Sequence, residues 1–301
     1  MVGNNKHSVL IVFAIIGGIA VFLIAIMALA TKLFLPSSIL SFGNKIGVIP
    51  IYGVISDFDA VTSQLVKFRK NKSIKAIILR INSPGGGVGA SQEIYREVQK
   101  TTKSKKVIVS MGGVAASGGY YIASAADKIV ANPGTITGSI GVIMEFVRYE
   151  EILKKIGIKF EVLKSGEFKD MGSPHRELTE REKELIKTLI ANIQDQFVKA
   201  VADGRHLPLE KTRNLADGRI FSGAQARELG LVDELGNFQD AVDIARDLSG
   251  IKGDVSLIYP QKNRMKFFDK FMENIADSVM RVMQDMKNQG GLEYRWNGLL
   301  S

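Results

Sequence analysis

The sequence predicts an α/β fold built on a parallel sheet, and three observations carry that prediction. Two apolar runs rich in β-branched residues, KAIILRI at residues 75–81 and VIVS at 107–110, have few polar positions, as strands do when helices cover both faces of a sheet. Each run leads into a glycine-rich turn and then into helical spacing. Strand and helix alternate at intervals that suit βαβ units.

Taken in order, the chain opens with the seven residues MVGNNKH and then an uncharged stretch, residues 8–31. At about 1.5 Å per residue this makes roughly 36 Å of helix, enough for a bilayer core. It predicts one N-terminal transmembrane helix. Ala28-Leu29-Ala30 resembles a signal-peptide cleavage site, but the apolar part of such peptides is only about 7–15 residues, which favours an uncleaved anchor. Lys6 and Lys32 flank the stretch and bias its orientation little. The expected arrangement is single-pass in the cell membrane, with residues 1–7 cytoplasmic and the rest extracytoplasmic. Residues 32–44 read as a linker, 45–260 as the main folded domain, and 261–301 as an amphipathic helix and tail.

Within the domain, residues 45–55 read as a strand pair or one bent strand, with Pro50 confined to an edge or bulge. Phe58, Val61, Leu65 and Phe68 have helical spacing, predicting a helix over 57–71. Strands follow at 75–81, from 107 and at 128–130, with helices at 90–101 and after Ser117. Residues 140–146 and 159–163 read as strands around a short helix at 149–156. Thr179 with Glu182 fits a capping box ahead of a helix through 202. Ser222 and Gly230 bound another helix, residues 238–248 form a third, and 255–259 a last strand. The tail carries one apolar stripe from Phe268 to Met286, which suits packing on its own domain, on a neighbouring subunit or on a membrane surface.

Composition narrows the chemistry. With 46% apolar residues in 301, the chain can bury a large core. Cysteine is absent and histidine occurs only at His7, His175 and His206, which removes thiolate chemistry and limits imidazole chemistry. The net charge of +9 is concentrated between residues 64 and 106, where eleven Lys and Arg face two Glu. No motif or aromatic interleaving supports nucleic acid there; solvated helix faces or anionic lipid beside the anchor are the alternatives.

Ser117 stands at a predicted strand-to-helix turn among Gly112, Gly113, Ala115, Ala116, Gly118 and Gly119. Unpaired backbone N–H groups at such a turn suit an acyl-transfer nucleophile. A plain N-cap with a tight turn would read the same on this stretch alone. The turn SPGGG at residues 83–87 follows the preceding strand, so both turns belong at the carboxyl edge of the sheet, where parallel folds place their ligands. Glycine leaves backbone N–H groups accessible to an oxyanion. Neither turn carries a P-loop or dinucleotide fingerprint. For the base, neither His175 nor His206 has an obvious orienting carboxylate. A lysine can serve once burial lowers its pKa, and the loop KSGEFKDMGSP from residue 164 offers Lys164 and Lys169, between which composition does not choose.

Assembled, these stretches resemble the signal peptide peptidases of serine protease family S49 in their short single-domain form. The carrying motifs are INSPGGGV from Ile81, GGVAASGGYYIA from Gly112, ANPGTITGSIGV from Ala131, KSGEFKDMGSP from Lys164 and DGRIFSGAQARELGLVDELG from Asp217. The resemblance implies a ClpP/crotonase-like fold of stacked βαβ units assembled into a ring or dome. It implies a Ser/Lys dyad of Ser117 and Lys169, Ser139 supporting the lysine amine, and an oxyanion hole from Gly86 and Gly118, with the glycine of the triplet uncertain by one position. It also implies a site shared between adjacent subunits, no metal or other cofactor, and hydrophobic peptides, cleaved signal peptides included, as substrates. Asp170 beside Lys169 would oppose a neutral base if its carboxylate were close. The rival readings are a crotonase-like acyl-CoA hydratase or isomerase, and a non-catalytic membrane scaffold.

Overall fold

The computed structural model describes residues 44–260, together with Gly17, Gly18, Val21 and Phe22, which are helical. The expected transmembrane helix, linker and tail therefore fall almost wholly outside the described residues, and among those described no helix is long and apolar enough to cross a membrane.

Eight strands form one mixed sheet. Five of them run β1 (Lys45–Tyr52), β2 (Ile74–Ser83), β3 (Lys106–Ala116), β4 (Lys128–Ala131) and β5 (Ile136–Gly138), and the others are β6 (Ile220–Ser222), β7 (Glu234–Leu235) and β8 (Ser256–Ile258). The order is β6-β5-β3-β2-β1-β8, with β4 beside β3 and β7 beside β4. All pairs are parallel except β5 with β6. β3 is forked: Ile108–Ser110 pairs with β4, and Val114–Ala116 with β5.

The central strands are buried on both faces, as their unbroken apolar runs predict. Ile77, Leu79, Ile81, Val107 and Val109 pack into one cluster, while Ala76, Ile78 and Ile108 pack with Ala241, Val242 and Ala245 in the other. The first face is covered by α1 (Asp59–Lys70), α2 (Val88–Thr102), α3 (Gly118–Ala123) and α5 (Glu180–Arg205), the second by α8 (Phe238–Leu248). Two shorter helices, α6 (Leu209–Leu215) and α7 (Gly223–Leu229), flank β6. The capping boxes at Thr179 and Ser222 form in full, and Gly230 closes α7 in the left-handed region at φ 83°. Residues 45–52 make one strand rather than a pair; β8 pairs with β1 only through Gly47, so Pro50 lies where that flank is open.

Residues 140–146 and 159–163 are not strands. Between them stands α4 (Glu150–Lys155), but no strand lies between β5 and β6 in sequence among the described residues. The reason is pairing: the flank of β5 is taken by β6, so these β-branched runs find no ladder within their own chain.

Candidate active site

β3 ends at Ala116 and α3 begins at Gly118, leaving Ser117 as the single residue of the turn. Its backbone is held at φ 52°, ψ −121°, a conformation that costs a non-glycine residue about 1–3 kcal/mol. Its side chain makes no capping hydrogen bond, which removes the plain N-cap alternative. The hydroxyl is half-buried and opens into a cavity of about 380 Å³, lined in part by Gly86, Ser91, Tyr121, Ser139 and Phe197.

The two glycine turns touch. A Cβ on Gly85 (φ 107°) would stand 2.8 Å from both Gly118 N and Ser117 Cβ, so only glycine permits the approach. Hydrogen bonding then sorts the N–H groups. Gly85 N–H donates to Ser83 Oγ (3.0 Å) and Gly87 N–H to the Ile55 carbonyl (2.8 Å), while Ser117 N–H donates to the Gly138 carbonyl (2.9 Å). Gly86 N–H and Gly118 N–H have no acceptor among the described residues. Those are the two groups the resemblance assigns to an oxyanion.

Ser139 reaches the same cavity from the end of β5. It too is left-handed, at φ 49°, and its N–H donates to the Arg219 carbonyl at 2.9 Å. No hydrogen bond engages its hydroxyl among the described residues.

Lys169 is not brought to this cavity. It sits exposed in the turns of residues 165–176, and neither it nor Lys164, His175 or His206 lines the wall around Ser117. The two lysines differ, however. Lys164 Nζ is tied to Asp170 (2.7 Å) and to the Glu167 carbonyl (2.9 Å), whereas the Lys169 amine has no partner among the described residues. The Asp170 carboxylate is held well below its usual range by Arg176 and then by Lys164. Arg176 also binds Glu182 at 2.6 Å, and with the Thr179 backbone N–H it lowers that carboxyl to about 2. Asp170 is thereby committed to two other cations. His175 meets Ser173 Oγ at 2.9 Å and stacks on Phe160 at 4.7 Å, and His206 ends α5; neither pairs with a carboxylate among the described residues.

Ser91 and Asp217 are among the cavity residues to which the sequence assigned no role. Ser91 lies in the first turn of α2, and Asp217 on the rim is ion-paired with Arg219. Nothing in composition distinguishes Ser91 from any other serine near a helix start.

The sequence matches the model of peptidase family S49 over residues 99–252 and that of Clp protease over residues 39–135. It is 46% identical over 243 residues to a putative protease of Synechocystis sp., a match covering 78% of this chain and 88% of the relative. A putative signal peptide peptidase SppA of Enterococcus faecium is 43% identical over 182 residues, covering 60% of this chain and 53% of the relative. The chloroplastic serine protease SPPA of Arabidopsis thaliana is 34% identical over 242 residues, covering 77% and 36%. The chain thus spans about half, or less, of the length of the last two. The mixed α/β sheet is consistent with a ClpP-like fold.

Proposed function

The chain belongs to peptidase family S49 and is a serine peptidase, and on that premise we propose that it is a membrane-anchored endopeptidase with a Ser117/Lys169 dyad, cleaving hydrophobic peptides such as spent signal peptides. The observation that carries the reading is the strained, uncapped Ser117 beside two N–H groups without acceptors. Ser117 Oγ attacks the scissile carbonyl as the neutral Lys169 amine takes its proton. Gly86 and Gly118 N–H groups hold the oxyanion. The lysine then protonates the leaving amine, and water releases the acyl group. The Ser139 hydroxyl, open toward the cavity, orients the amine.

Lys169 comes from an adjacent subunit in this reading. Support comes from its exposure outside the cavity, and from the apolar side chains of the segment that leads to it. Val147, Ile152, Ile156, Phe160 and Leu163 are all exposed, a concentration of apolar residues that suits an interaction surface. Packing this arm against a neighbour would also strip water from the amine, which favours its neutral form. Phe197 and Ile193 in the cavity wall suit an apolar substrate side chain. The membrane anchor rests on the uncharged stretch at residues 8–31. The acyl-CoA alternative gains nothing from Asp217, whose carboxylate is committed to Arg219.

The test is hydrolysis of a hydrophobic peptide by the full chain in detergent. Ser117→Ala and Lys169→Ala each abolish cleavage, and mixing the two after dissociation restores it if the dyad spans subunits. An active Lys169→Ala chain near neutral pH would overturn the base, and an inert unaltered chain the enzyme.

A further inference from the structure

Three buried side-chain polar atoms lack a hydrogen-bond partner among the described residues: Ser91 Oγ, Gln194 Oε1 and Arg205 Nε. Gln194 is held through its Nε2 by the Ala216 carbonyl, and Arg205 through its pair with Asp233. Ser91 has neither. It is 3% exposed, yet it lines the cavity that holds Ser117. An unpaired hydroxyl in such a place costs stability, so what it faces matters.

What it faces is the bare Cα of Gly118. The position a Gly118 Cβ would fill lies 2.4 Å from Ser91 Oγ and 3.2 Å from Gly86 N. Three donors, Ser91 O–H, Gly86 N–H and Gly118 N–H, therefore lie close together beside the nucleophile, and none has an acceptor among the described residues.

We propose that Ser91 is a catalytic residue of this enzyme, its hydroxyl acting as a third hydrogen-bond donor to the oxyanion that forms when Ser117 attacks. The inference rests on the peptidase reading above and adds a residue to it. In the ground state the hydroxyl waits without an acceptor. The tetrahedral intermediate brings the negative oxygen that satisfies it, so the interaction is made in the transition state and lowers the barrier. Ser91 stays fixed because α2 holds it, its own N–H donating to the Gly87 carbonyl at 3.0 Å.

The test uses the full chain in detergent with Ser91→Ala, Ser91→Cys and Ser117→Ala. Cysteine keeps the side chain's shape roughly but donates weakly. The expected result for Ser91→Ala is a kcat lowered by about 10²-fold, with KM within twofold and the melting temperature unchanged or raised. Affinity for a peptide aldehyde, whose hemiacetal presents the same oxyanion, falls with kcat. Ser91→Cys follows the alanine variant. If kcat is unchanged, or Ser91→Cys restores the rate, or Ser91→Ala melts earlier and loses activity only in proportion to lost fold, the donor role is wrong. If Ser117→Ala still cleaves, the peptidase reading fails instead, whatever Ser91 does.

Discussion

Around Ser117 the chain completes its own packing: Ile81, Met111, Tyr120 and Ile122 are each 0% exposed, and the Ser117 N–H donates to the Gly138 carbonyl. Along the segment that leads to Lys169 it does not: Val147 is 77% exposed, Ile156 62% and Leu163 94%, with one short helix and no ladder. One region is an interior, and the other is a surface with an interior's composition. In the dyad proposed above, Ser117 and Lys169 thus sit on structures of different kinds, the first packed within a single chain and the second exposed. That contrast is what the proposed assembly would have to bridge.

The contrast breaks first at the lysines. Lys169→Ala is expected to lower peptide hydrolysis by roughly 10²–10⁴-fold, the worth of a general base. Lys164→Ala, which removes the ion pair with Asp170 and the hydrogen bond to the Glu167 carbonyl, should change it less than about fivefold. Equal losses would erase the distinction between them. A second test stays on the rigid side. Gly118→Ala puts a methyl group 2.4 Å from Ser91 Oγ and 3.2 Å from Gly86 N, forcing the proposed oxyanion donors apart, and should lower kcat roughly 10²–10³-fold while circular dichroism reports an intact fold. Retained activity would place the oxyanion elsewhere.

A third pair compares the regions directly. Ile78→Ala, at a fully buried site, should cost about 2–5 kcal/mol in denaturant unfolding. Leu163→Ser should cost the isolated chain almost nothing but weaken its self-association in sedimentation velocity. A Leu163→Ser chain that unfolds early would show the arm to be core after all. The smallest effect concerns the link between the regions, where Arg176 joins Asp170 of the arm to Glu182 at the start of α5. Glu182 has a folded pKa of about 2 against an ordinary 4.5. Its contribution is therefore present above the ordinary value and is lost as pH falls from about 4.5 toward 2. Limited proteolysis of the arm should quicken over that window, and Arg176→Ala should show the quickened rate already at pH 7.

The same division governs how much the sequence discloses. The strands at residues 75–81 and from 107 were legible because burial on both faces leaves an unbroken apolar run. The helix starts at Thr179 and Ser222 were legible because a capping box is local chemistry. Ser117 was legible as a turn residue, although its strain depends on β5, a strand of three residues, too short to leave a pattern. Residues 140–146 and 159–163 carry a strand's composition without being strands, because a strand also needs a neighbour and composition does not say whose. The lysines were indistinguishable for a similar reason: Arg176, several residues further on, claims Asp170 together with Lys164, and that choice exists only in three dimensions. Ser91 shows its meaning only once Gly118 is known to lie against it.

β5 has one more consequence. Gly138 accepts the Ser117 amide at 2.9 Å, Ser139 follows at once, and the chain then leaves into the exposed arm. In the assembly proposed above, a subunit gripping the arm would bear on the strand whose carbonyl holds the Ser117 amide. That amide would then serve as a strain gauge: its deuterium exchange in heavy water should slow as subunits gather, reporting assembly before any peptide is cut.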